Sequence, residues 1–204
     1  MIPASEALQR LKDGNREFVD HVGTSNTLAG LDASAELIQV QRPHTIILGC
    51  SDARVPAEIV FNQGLGDLFV IRVAGNIVAP SQIGSVEFAA AKCDTRLVVV
   101  LGHTQCGAIQ ATIDAMEGDG APSPGLQSIV DKVKPSVEAL FKSDLRHDHD
   151  KLAAAAVRAN VERSVKQLRE GSQILQDLID SDGLKIIGAE YSIETGKVEF
   201  FDEA

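Results

Sequence analysis

Thr45-Ile46-Ile47-Leu48-Gly49-Cys50-Ser51-Asp52-Ala53-Arg54-Val55-Pro56 is a short β-branched, apolar run that stops at a glycine. A strand buried on both faces of a parallel sheet reads this way, without polar alternation. Directly after it come a thiol, a carboxylate and a guanidinium: Cys50, Asp52 and Arg54. Open α/β sheets gather their chemistry at the C-terminal ends of strands. The device recurs about fifty residues on. Arg96-Leu97-Val98-Val99-Val100-Leu101-Gly102 is a second run ending in glycine, followed by His103-Thr104-Gln105-Cys106-Gly107. Two such strands ending side by side would bring Cys50, His103 and Cys106 together. Two thiols and an imidazole form a Cys2His set, which suits zinc and leaves one coordination position free.

Working outward, Asp67 to Val73 reads as another buried strand, closed by Gly75-Asn76, and Leu184 to Tyr191 as a fourth. Glu194-Thr195-Gly196-Lys197 is a hairpin turn into Val198 to Phe201, an antiparallel edge strand. Helical patterns cover 81–92, 107–116, 126–141, 152–168 and 172–179, and Pro56 can open a short helix. The expected fold is α/β: a central, mostly parallel sheet of four parallel strands plus the antiparallel C-terminal edge strand, flanked by helices. One domain covers 1–204, with an N-terminal helical arm (1–40), a core carrying the site (43–116) and a helical and C-terminal strand region (117–204).

In the arm, residues 4–20 carry Ala7, Leu8, Leu11, Phe18 and Val19 at helical spacing, with a break expected near Gly14. A loop over 22–30 and a short helix from Leu31 to Val40 follow. The pattern is consistent with a helix on its own domain or with an arm lying on a second subunit. Gly118, Gly120, Pro122, Pro124 and Gly125 mark a loop. Asp144 to Asp150 is rich in metal-ligating residues but has no framing ligand group in the sequence, so it reads as a solvated polar turn.

The formal charge of −10 over 204 residues leaves no basic stripe for nucleic acid or an anionic membrane. Three cysteines do not make a disulfide framework and point to a reducing compartment. The first residues carry no basic and apolar leader pattern, and no apolar run nears the ~18 residues of a membrane span, so a cytoplasmic location is expected.

Taken singly, Cys50 and Cys106 suit small buried hydrophobes and His103 a core histidine. Histidine and cysteine at i and i+3 after one strand, with a cysteine after its neighbour, is hard to obtain from packing alone. Cys93, at a helix end with no partner motif, reads as structural. Asp52 and Arg54 have three readings: a surface ion pair of little weight, an aspartate filling the fourth metal position, or an aspartate held by Arg54 so that water takes it. Zinc-bound water can titrate near ~7 and so supply hydroxide, although two thiolate ligands should raise that value.

Cys-x-Asp-x-Arg after one strand and His-x-x-Cys-Gly after another resemble the β-class carbonic anhydrases. The likeness runs across 43–116, through Gly49 to Pro56, Gly66 to Asn76 and Gly102 to Ala108, and includes the final Gly188-Ala189-Glu190-Tyr191 strand. It implies reversible hydration of CO2 to bicarbonate and a proton by zinc-bound hydroxide. It also implies one zinc per chain, and a homodimer or dimer of dimers clasped by the N-terminal arm. Cys50, His103 and Cys106 match the zinc ligands, and Asp52 and Arg54 the catalytic pair, with Asp52 also a conditional fourth ligand. Gln41 matches a glutamine that reaches the pocket in plant-like members, Gly107 a lining glycine and Phe69 an apolar wall. The family's tyrosine on the helix before the third strand is Phe88 here. Some relatives close the site by moving the aspartate onto the metal, using a bicarbonate pocket with a tryptophan where this chain has Ile47; Arg72 and Tyr191 match that pocket. The resemblance therefore implies an open, plant-like site. Carbon disulfide or carbonyl sulfide hydrolysis on the same site, a cysteine-nucleophile hydrolase and a structural zinc module are the other readings.

Overall fold

The computed structural model describes residues 2–21, 40–118 and 123–201. Five strands form one sheet: β1 (Thr45–Gly49), β2 (Leu68–Arg72), β3 (Leu97–His103), β4 (Lys185–Tyr191) and β5 (Val198–Phe201). Their order is β2-β1-β3-β4-β5. β1 to β4 run parallel and β5 pairs antiparallel with β4, as the sequence predicts.

Every residue of β1 and β3 is buried, which accounts for their unbroken apolar runs. Side chains still alternate between faces. Ile46, Leu48, Val98 and Val100 pack on one side with α3 (Pro80–Lys92), α6 (His149–Glu170) and α7 (Gln173–Ser181). Ile47, Val99 and Leu101 pack on the other with α1 (Ala4–His21) and α2 (Ala57–Val60). A third cluster joins α4 (Gly107–Glu117), α5 (Pro124–Phe141) and α6 around Ile109, Val133 and Leu152 at the C-terminal end of the sheet.

α1 runs unbroken through Gly14. A Cβ there would sit 1.8 Å from the Phe61 carbonyl oxygen, so this glycine marks close approach to α2 rather than a helix break. Ala4, Ala7 and Leu11 are buried against the helix's own domain. Asn15 locks α1 further: it donates to the Val60 and Gly196 carbonyls at 2.9 and 3.0 Å and accepts from the Val198 N–H. The inner stripe of α1 is therefore spent within the chain, while Phe18 and Val19 stay half-buried. The loop expected over 22–30 and the helix from Leu31 lie outside the described residues, apart from Val40.

α5 begins at Pro124, with Ser123 accepting the Leu126 N–H, so Pro124 and Gly125 belong to a helix rather than a loop. The polar stretch is likewise more ordered than a turn. Asp144–His147 form a short 3-10 helix, Asp148 caps α6, and His149 and Asp150 open that helix. No helix among the described residues is long and apolar enough to cross a membrane.

Candidate active site

β1 lies between β2 and β3, so the chain leaves it toward one side and later returns on the other. This is the switch point where open sheets form a crevice beyond their C-terminal ends. Gly49 is in register with Leu101, so Cys50 and His103 emerge at the same edge. Cys106 caps α4 three residues later. The donor atoms of Cys50, His103 and Cys106 all lie within 4.8 Å of one another, and all three residues are buried.

Local backbone geometry aims them. Gly75, at φ +69°, turns its N–H toward the Cys50 sulfur at 3.4 Å. A Cβ on Gly75 would press Ala108 at 3.0 Å as well as strain the backbone. His103 Nδ1 lies 2.8 Å from the Thr104 carbonyl oxygen, which can only accept, so Nδ1 carries the proton. Nε2 of the neutral ring is left with a lone pair, buried and without a hydrogen-bond partner.

The sulfurs interact strongly. A hydrogen bond from Cys106, opposed by burial, depresses the Cys50 pKa, and the same contact together with burial pushes Cys106 up. The N–H groups of Ala108 and Ile109 pull Cys106 back down only in part. Two neighbouring thiolates are therefore unfavourable unless a cation sits between them. Burial opposes charge on His103, yet Cys50, Thr104 and Asp52 outweigh it and raise its pKa. The pocket draws positive charge. An orphaned imidazole lone pair facing two sulfurs that need a cation fits zinc, and a Cys2His set is what zinc takes when one position stays free.

Asp52 is gripped by Arg54. The Arg54 backbone N–H and Nε donate to Oδ1, both at 2.9 Å, and Nη2 donates to Oδ2 at 2.8 Å. The guanidinium holds this carboxyl well below the usual carboxylate range. Nη2 also reaches the Gln105 carbonyl at 3.3 Å. Asp52 Oδ2 lies 3.9 Å from His103 Nε2. Arg72 donates to the carbonyls of Cys50, at 3.0 Å, and Asp52, fixing the turn between them. Ile47 is fully buried in the core, and Tyr191 lies in register with His103.

Gly107 opens α4 beside Cys106, with nothing within 4 Å of where a Cβ would stand. A concavity of about 640 Å³ adjoins it, lined in part by Thr104, Gln105, Gln110 and Glu194. Gln41 and Phe69 lie elsewhere. Gln41 precedes β1 and lines a separate cavity of about 500 Å³ with His44 and Arg96. Phe69 is in register with Ile46, four residues before Cys50 and so about 13 Å down the strand. Its ring centroid is 6.2 Å from that of Phe88, itself half-exposed. One chain therefore assembles Cys50, Asp52, Arg54, His103, Cys106 and Gly107, but not Gln41 or Phe69.

Cys93 stands apart from the site, as expected. The cysteine-nucleophile reading is not favoured: Cys50 and His103 do interact, but Cys106 joins them in one buried donor set, which suits a metal better than a thiol–base pair. A second donor trio does frame the polar stretch: Asp114 and Glu117 of α4 approach His149 within 4.8 Å, at the surface. Helix packing supplies the neighbours that the sequence alone did not place there. The sequence reading also missed any role for Glu194. This turn residue accepts from Thr104 and Gln105, inside the ligand loop, and no motif connects it to that loop.

The sequence matches the carbonic anhydrase family profile over residues 45–198. It is 37% identical to a carbonic anhydrase of Mycolicibacterium smegmatis over 95% of this chain and 91% of that protein. It is 34% identical to carbonic anhydrase 2 of Mycobacterium tuberculosis over 96% and 92%. A tetrameric β-carbonic anhydrase structure from Sordaria macrospora superposes with a TM-score of 0.73 at 25% identity, covering 82% of this chain and 84% of that one. Sheet order, site geometry and sequence agree: the chain belongs to the β-class carbonic anhydrases.

Proposed function

We propose that this enzyme hydrates CO2 reversibly to bicarbonate and a proton, with one zinc per chain held by Cys50, His103 and Cys106. The observation that carries this reading is the buried, partnerless His103 Nε2 facing two coupled sulfurs at the sheet's switch point. Zinc held by these three residues would supply a nucleophilic hydroxide near neutral pH. The chain's own groups then do the orienting. Asp52, kept ionised by Arg54, acts as a hydrogen-bond acceptor and not as a proton donor, and so fixes the direction of a nucleophile's O–H. Arg54 is anchored in turn by the Gln105 carbonyl. Gly107 leaves space for a small substrate beside Cys106.

The clamp on Asp52 supports an open site, with the carboxylate committed to Arg54 instead of the metal. The Ile47 side chain has no N–H donor with which to hold bicarbonate, and Arg72 is engaged on backbone carbonyls. Activity should therefore decline smoothly on acidification, without steep inhibition by bicarbonate. Stopped-flow CO2 hydration by zinc-loaded and chelator-stripped protein tests the reading: activity should follow zinc. A zinc-loaded protein inactive on CO2, whether or not it hydrolyses carbon disulfide or carbonyl sulfide, would refute it.

The active unit is at least a homodimer. β2 is a sheet edge whose Leu68, Phe69, Val70 and Ile71 are only half-buried, next to the half-exposed Phe88. An apolar edge of this kind invites pairing with a second chain. Gln41 and Phe69, distant from their own zinc ligands, can serve a pocket only from such a partner. A fully active monomer in sedimentation at micromolar concentration would exclude it.

A further inference from the structure

Thr104 and Gln105 lie between two of the three zinc-ligating residues, and they are held from outside the motif. Gln105 sits at φ +56°, a left-handed conformation unusual for a residue with a side chain. The Thr104 N–H donates to the Tyr191 carbonyl, and its hydroxyl oxygen accepts from the Ile193 N–H, each at 3.0 Å. The remaining bonds converge on one carboxylate in the β4–β5 turn. Thr104 Oγ1 donates to Glu194 Oε2 at 2.7 Å, and Gln105 Nε2 donates to Oε1 at 2.6 Å. Ser192 Oγ adds a third bond at 3.0 Å. The turn is itself fixed to α1, because Asn15 bonds Gly196 and Val198.

Loop and turn are remote in sequence, yet both side chains of the loop's interior end on the same residue. The loop has two duties: it delivers Cys106 to the head of α4, and it presents the Gln105 carbonyl to Arg54. We propose that Glu194 is a positioning residue for this site, holding Thr104 and Gln105 in the turn that sets Cys106 for zinc and anchors Arg54 over Asp52. The proposal rests on the zinc-site reading above and gives Glu194 no contact with substrate. Its negative charge also suits the task. A carboxylate accepts from every donor offered here, and those bonds, Thr104's foremost, lower its pKa, so it remains an acceptor at working pH.

The experiment compares Glu194→Ala, Glu194→Gln and Glu199→Gln in the zinc-loaded full chain. Glu199, an exposed acid on the same hairpin that pairs with Arg158, is the control. The readouts are zinc release to a chelator, the visible spectrum of the cobalt-substituted protein, and kcat and KM for CO2. Residues that orient metal ligands are worth about 10- to 100-fold in affinity or activity, and one acting through the loop belongs at the lower end. Glu194→Ala should release zinc about tenfold faster, lose about tenfold in kcat with KM little changed, and shift the cobalt–thiolate bands. Glu194→Gln should restore most of both, because its amide still accepts from Thr104 and the Gln105 amide can turn over to meet it. Glu199→Gln should match wild type. Wild-type zinc release and an unchanged cobalt spectrum in Glu194→Ala would overturn the proposal, as would equal losses in Glu199→Gln. Zinc release and the cobalt spectrum do not depend on CO2 chemistry, so they decide Glu194 even if the assigned reaction fails.

Discussion

Two trios of ligating side chains, Cys50/His103/Cys106 and Asp114/Glu117/His149, each hold their donor atoms within 4.8 Å, and their surroundings differ in every other respect. The first is buried, leaves His103 Nε2 without a partner and forces two sulfurs together. The second lies at the surface, and the Gln110 side-chain amide already bridges two of its members, donating to Asp114 Oδ1 at 2.7 Å and lying 3.1 Å from His149 Nε2. Burying an unpaired polar group is costly. The fold bears that cost where a cation can relieve it and avoids it where water and an amide suffice. Proximity of ligating groups is therefore weak evidence for a metal, and unmet need is strong evidence.

The largest effect should separate the trios outright. Cys50→Ser and Cys106→Ser should reduce CO2 hydration to the uncatalysed background in a stopped-flow assay, while His149→Ala keeps wild-type rates. Comparable losses in His149→Ala would break the distinction. Next come the groups beside the buried trio. Asp52→Ala should lose about 100-fold in kcat, a magnitude ordinary for removing one preorganised hydrogen-bond partner of the reacting group, with zinc retained. Arg54→Ala should fall in the same direction, because the freed carboxylate competes for the open metal position. Near-normal rates in both variants would reduce the pair to a surface salt bridge.

A smaller effect is expected at the exposed trio. Gln110→Ala removes bonds that water can replace, so denaturant unfolding should register a loss of at most about 1 kcal/mol. Isothermal titration should reveal no tight zinc binding at that trio. A third histidine sharpens the criterion. His44 has both ring nitrogens engaged, with Thr45 Oγ1 at 2.8 Å and Gln63 Oε1 at 2.9 Å. Burial lowers its pKa against the opposing pull of Gln63 and Asp67. The folded state therefore binds fewer protons here than the unfolded chain below the ordinary histidine value. The stability held above pH ~6.5 is lost as pH falls through the depressed folded pKa. Between pH 8 and pH 5 the melting temperature should fall less in His44→Gln than in wild type. Identical slopes would show that His44 titrates as it does in the unfolded chain.

What could be read from sequence follows the range of the forces involved. β1 and β3 were legible because burial on both faces imposes an apolar run on the strand itself. Cys50, His103 and Cys106 were legible because each lies within a few residues of such a strand end, so local spacing carries the geometry. Gly14 misled because its reason is the Phe61 carbonyl, a contact between two helices with no local signature. His149 gained Asp114 and Glu117 as neighbours through the packing of α4 beside α6. Glu194 stayed silent because a single acid in a hairpin turn gives no sign of the loop it supports. Gln41 and Phe69 rest on family likeness, and the fold places both away from Cys50, His103 and Cys106 of the same chain.

Metal content tests the contrast most directly. Elemental analysis of purified wild type, His149→Ala and Cys106→Ser, each confirmed folded, should return one zinc per chain in the first two and a large deficit in the third. Stoichiometric zinc surviving in Cys106→Ser, or lost in His149→Ala, would contradict the assignment of the buried trio as the metal centre.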